Sequence, residues 1–82
     1  MQYKYKTKGT CSQFIHFTIE DNLVKDVEFV GGCNGNLQGI GKLVEGMEVS
    51  EVIKRLDGIR CGFKPTSCPD QLATALKEAI NG

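Results

Sequence analysis

The stretch LVKDVEFVGGCNGNLQGIGKLVEG, residues 23–46, contains the change of period that decides the fold. In its first half the residues alternate, which is the period of a half-buried strand. Leu23, Val27 and Phe29 fall on one side and Val24, Asp26, Glu28 and Val30 on the other, with Lys25 an intruder on the apolar face. After GGCNGN the spacing turns helical. Leu37, Ile40, Leu43 and Val44 line one face of a helix that Asn36 caps and Gly46 ends. Two glycines inside it, Gly39 and Gly41, weaken the helix and point to close packing or the approach of another backbone.

Upstream, YKYKTKG sets Tyr3, Tyr5 and Thr7 against Lys4, Lys6 and Lys8, and QFIHFTIE sets Ile15, Phe17 and Ile19 against Phe14, His16 and Thr18. Asp21 and Asn22 supply the turn into the third strand. Downstream, Val49, Val52, Ile53 and Leu56 mark a second helix that stops at Gly58. In the third helix Cys68 takes the cap, Pro69 the first helical position and Asp70 the first turn. Leu72, Ala75, Leu76, Ala79 and Ile80 line its apolar face. Strands followed by helices predict one α+β domain over residues 1–82, a three-stranded antiparallel sheet with three helices packed on one face.

At 82 residues the chain has room for one modest core, and added staples would help it. Lysine plus arginine and aspartate plus glutamate each total 10, so the net charge is zero and a nucleic-acid partner is not expected. The lysines of the first strand fit a solvated face or a protected sheet edge. MQYKYKTKGT has no apolar run, and no 18 consecutive apolar residues occur, which predicts neither a secretory signal nor a membrane span. The expected compartment is the cytoplasm, where thiols stay reduced.

All four cysteines fall at breaks between elements: Cys11 between the first and second strands, Cys33 between strand and helix, Cys61 after the second helix, and Cys68 opening the third. A lone cysteine is usually a small buried hydrophobe. Four at junctions, which a sheet covered on one side can gather at one end, favour a metal site, zinc or an iron–sulfur cluster held by Cys11, Cys33, Cys61 and Cys68. The helix entrance stabilises a thiolate at Cys68. Disulfides fit the compartment less well. His16 reads as a strand residue, and Glu20, Asp26 and Glu28 as solvated acids. GNLQGIGKL is not a phosphate loop, because its glycine spacing is wrong and Leu43 replaces the metal-binding hydroxyl.

The quintet TSCPD at 66–70, with GTC, GGCNGN and the Cys61-Gly62 pair, resembles the TSCPD-domain family over essentially the whole chain. That domain also occurs near the C-terminus of adenosylcobalamin-dependent ribonucleotide reductases, so the resemblance carries a ribonucleoside-diphosphate reductase name by association. An 82-residue chain cannot contain that enzyme's barrel, radical source and nucleotide pocket. More distantly, the order of strands, cysteines and helices is similar to the U-type iron–sulfur scaffold proteins. That likeness implies that Cys11, Cys33 and Cys68 match the scaffold's three ligands. Gln13 stands where the scaffold has the aspartate tied to cluster release, the partner-recognition segment is missing, and Cys61 is an extra thiol. Four thiolates favour a closed, permanent site.

Together these observations predict a small metal-binding cysteine-cluster domain, accessory to a reductase system or to iron–sulfur machinery through a protein partner. The competing expectations are a thiol-redox module cycling Cys61 and Cys68, and an interaction module without metal.

Overall fold

Asp21 and Asn22 reverse the chain with both φ angles positive, at 52° and 65°, the signature of the two-residue hairpin turn whose twist matches its strands. Aspartate and asparagine tolerate this conformation better than other residues with a side chain. The turn joins β2 (Ser12–Glu20) to β3 (Leu23–Gly31), and β1 (Gln2–Lys6) lies on the other side of β2. All pairs are antiparallel, in the order β1-β2-β3. Helices α1 (Asn34–Val44), α2 (Val49–Leu56) and α3 (Cys68–Asn81) follow, completing the expected α+β architecture. The computed structural model describes residues 1–9, 12–31, 34–60, 62 and 66–81.

Strand β3 departs from simple alternation. Its pairing runs from His16↔Glu28 to Thr18↔Lys25, so Asp26 and Val27 together oppose Phe17. This is a β-bulge, with Asp26 at φ 54° and its N–H donating to Glu45 Oε1 at 2.9 Å. The extra residue shifts the phase of everything before it. Val24 is fully buried in place of Leu23, and Lys25 faces outward, where it pairs with Glu20 at 3.7 Å. The apparent intruder on the apolar face is thus no intruder. A second irregularity falls at Gln13, between the pairs Ser12↔Gly31 and Phe14↔Val30.

Strand β1 follows its alternation. Tyr3 stacks on Phe17 with centroids 5.2 Å apart, while Lys4 on the opposite face lies 4.4 Å over the Phe14 ring. Burial, then the charge of Glu78 and a hydrogen bond to it, raises the Tyr5 hydroxyl above the ordinary tyrosine pKa. The outer edge of β3 is also occupied. Val24 N–H donates to Met47 O at 2.8 Å, Gly46 N–H to Val24 O at 2.7 Å, and Leu23 bridges Glu48. The α1–α2 connection thereby satisfies edge groups that would otherwise invite another strand.

Ile15, Phe17, Val24 and Phe29 of the sheet share one core with Leu37, Val44, Val49, Val52, Cys68, Leu72, Ala75 and Leu76 of the helices. Three expectations need correction. Asn36 does not cap α1 but sits inside it, because the helix begins at Asn34. Leu43 is 78% exposed and Ile80 53% exposed, so neither belongs to the core face assigned to it.

The two glycines of α1 separate cleanly. A Cβ on Gly41 would lie 2.9 Å from the carbonyl oxygen of Val27, at the bulge, whereas one on Gly39 would meet nothing within 4 Å. Gly41→Ala is expected to destabilise by about 1–2 kcal/mol, because overpacking against backbone outweighs the helix propensity gained. Gly39→Ala should stabilise by up to about 1 kcal/mol, since it gains propensity alone. Urea denaturation of the two variants checks the opposite signs.

Candidate functional site

The entrance of α3 is built from polar side chains. Ser67 is the residue that caps it: Gln71 N–H donates to Ser67 O at 2.8 Å, and Asp70 N–H to Ser67 Oγ at 3.2 Å. Cys68 is therefore the first helical residue and Pro69 the second, one position later than the sequence implied. Proline remains harmless there, because the N–H it lacks has no partner within the helix.

Ser67 and Asp70 form the first half of a capping box. The second half is diverted. Instead of turning back to its own cap, the Asp70 carboxylate accepts from Gly58 N–H at 2.7 Å through Oδ1 and from the Thr66 hydroxyl through Oδ2. Ser67 Oγ donates to Ile59 O at 2.6 Å. On the other flank, Gln71 Nε2 donates to Thr66 Oγ1 at 3.1 Å, and Gln71 Oε1 accepts from Lys8 N–H at 3.0 Å. A continuous chain of hydrogen bonds thus runs from Lys8 through Gln71, Thr66 and Asp70 to Gly58. Thr66, Ser67 and Gln71 are buried, and no buried side-chain polar atom among the described residues lacks a partner.

This chain ties three segments to one helix entrance. Lys8 and Gly9 follow β1, and a Cβ on Gly9 would lie 3.3 Å from Thr66 Cγ2. Gly58 and Ile59 follow α2. Ser12 and Gly31, paired across β2 and β3, mark the same end of the sheet, since Thr7 N–H reaches Gln13 O at 3.1 Å.

Of the four candidate ligands, Cys68 is described and Cys11, Cys33 and Cys61 lie outside the described residues. Cys68 is buried, 6% exposed, in contact with the hydrophobic core. No three histidine, cysteine, aspartate or glutamate residues form a metal-holding group among the described residues. His16 is exposed on β2 opposite Lys4 and Glu28, as a solvated strand residue should be.

A family model, the TSCPD domain, matches residues 1–80. The chain belongs to the TSCPD domain family. No curated protein and no solved structure matched it significantly. Four of the five letters that name the TSCPD family are accounted for by this geometry. The threonine, serine and aspartate make the hydrogen-bonded entrance, and the proline sits where a helix tolerates it. The cysteine is buried against the hydrophobic core. No helix among the described residues is long and apolar enough to cross a membrane.

The sequence reading missed Thr66, Ser67 and Gln71. Ser67 and Asp70 carry the Ser-x-x-acid signature of a helix start, so that part was available. Gln71 gave no signal, because its partners lie at Thr66 and at Lys8, 63 residues away.

Proposed function

We propose that this TSCPD domain binds one metal ion or cluster, zinc first and iron–sulfur second, through Cys11, Cys33, Cys61 and Cys68. The observation that carries the proposal is the hydrogen-bonded entrance of α3. It fastens to the turn bearing Cys68 the backbone three residues before Cys11 and two residues before Cys61. The pairing of Ser12 with Gly31 brings the residue after Cys11 opposite the one two before Cys33. Four thiolates are the donor set of closed structural zinc sites and of iron–sulfur clusters. The metal would staple the loops of a domain with a small core, in a reducing cytoplasm where disulfides could not. By its family association, such a module would serve as an accessory or docking piece of a ribonucleotide reductase system.

The test is elemental analysis of protein purified anaerobically without chelator, together with its visible absorption and a thiol titration. About one equivalent of zinc with the thiols masked, or a coloured iron-containing sample, is the expected result. A folded, metal-lacking sample whose four thiols all titrate would overturn the proposal.

A further inference from the structure

The two outer edges of the sheet differ. The α1–α2 connection fills the edge of β3 at Val24. On β1, Met1 and Ile19 exchange bonds with each other, and Thr7 N–H reaches Gln13 O, so the odd-numbered residues direct their main-chain groups at β2. The N–H and C=O groups of Gln2, Lys4 and Lys6 therefore point away from the sheet. All three residues are exposed, and no backbone hydrogen bond among the described residues fills that edge.

An open edge of this kind can take an extended segment of another chain as an added strand. The side chains beside it select the segment. Lys4 and Lys6 lie on the face away from the helices, and neither has a carboxylate within ion-pair distance among the described residues. Pairing β1 antiparallel over its full length with a second copy sets Lys4 against Lys4, and like charges directly opposite are destabilising. Aspartate or glutamate opposite the same lysines is favoured instead. On the helix side, Tyr3 and Tyr5 border a cavity of about 260 Å³ that Phe17, Ala75, Glu78 and Ala79 also line. Residues of an added strand that face this way meet aromatic and alanine surface, which suits apolar side chains. Glu78, whose charge lies beside the Tyr5 hydroxyl, repels a strand that enters one residue out of register and brings its acids to this side.

We infer that the β1 edge is a docking site for an extended segment of a partner protein in which acidic and apolar residues alternate. Gln2, Lys4 and Lys6 bond to its main chain, Lys4 and Lys6 face its carboxylates, and the cavity beside Tyr3 and Tyr5 takes its apolar side chains. None of these residues is a candidate metal ligand, so the inference stands or falls apart from the metal proposal.

The probe is a fluorescein-labelled peptide of alternating glutamate and valine, titrated with the protein by fluorescence anisotropy. The controls are a peptide with the same glutamates and valines in separate blocks, and one alternating lysine and valine. The alternating acidic peptide should bind about tenfold or more tightly than either control, and Lys4→Glu combined with Lys6→Glu should reverse the preference in favour of the lysine peptide. Lys4→Pro and Lys4→Gln lose the same charge, but only proline loses the outward N–H, at an edge position where β2 does not use it. Lys4→Pro should therefore bind the acidic peptide about threefold or more weakly than Lys4→Gln. If Lys4→Pro does not fold, the amide resonances of Gln2, Lys4 and Lys6 in the wild type replace it, and they should shift most on peptide addition. No binding, equal binding of the alternating and block peptides, or equal binding by Lys4→Pro and Lys4→Gln overturns the inference. A protein already dimeric by light scattering, with those three amides protected from exchange, makes the occupant a second copy and overturns it too.

Discussion

Asp70→Ala is expected to destabilise the metal-free domain by about 3 kcal/mol, lowering its melting temperature by roughly 15 °C. The carboxylate accepts from Gly58 N–H and from the Thr66 hydroxyl, and hydrogen bonds to a charged group contribute about 1.5–3 kcal/mol each. Asp70 is only partly buried, which puts each bond at the lower end of that range. Truncation also takes away the nearer acceptor of the Thr66 hydroxyl, which already accepts from Gln71 and is left with the Ser67 carbonyl at 3.5 Å. Asp70→Asn keeps one acceptor and opposes the second donor with an amide, so it should retain about half of the stability that alanine loses. Urea denaturation in chelator measures both variants without any contribution from bound metal. A loss below about 1 kcal/mol for Asp70→Ala would mean that the α2–α3 connection is held by something other than this carboxylate.

The elements of this fold were legible wherever a local pattern sufficed. Alternation in β1 placed Tyr3, Tyr5 and Thr7 correctly, and Asp21-Asn22 announced a hairpin that residues with a side chain can make only if they tolerate positive φ. Leu72, Ala75 and Leu76 marked the buried face of α3. The failures share a cause. The bulge at Asp26 depends on a carboxylate 19 residues away, and a strand pattern read by parity assumes that no residue is inserted. Val24 and Phe29 are both buried although five positions apart, which no uniform period of two permits. Leu43 had the right spacing to be core, but α1 leans chiefly on β3, which covers a narrower stripe than the four apolar positions span. Gln71 is the extreme case. A glutamine beside Leu72 reads as solvated until the Lys8 amide that fills its acceptor is known. The cysteines stood out by position alone, and of the four only Cys68 lies among the described residues, buried at the entrance of α3.

Cys68→Ser should abolish stable zinc uptake and remove the metal-linked part of the stability. At free metal about a thousandfold above the dissociation constant, that part amounts to about 4 kcal/mol. Serine keeps the approximate size of the side chain but offers a hydroxyl whose proton zinc must displace at far greater cost than a thiol's. The substitution also has an effect without metal, because a hydroxyl replaces a sulfur 6% exposed in an apolar cluster, and such a polar replacement costs about 1–3 kcal/mol. The two effects separate in a thermal melt run with zinc and again with chelator. For wild type the metal should raise the midpoint, and for Cys68→Ser the two curves should coincide at or below the wild-type chelated one. Lowering the pH should erase the wild-type difference as well, since protons compete with the metal for the sulfurs. Coincident wild-type curves at neutral pH, with Cys68→Ser only slightly lower, would instead make Cys68 a packing residue. The conspicuous cysteine of the TSCPD motif would then belong to the core, like Leu72 and Leu76 beyond it.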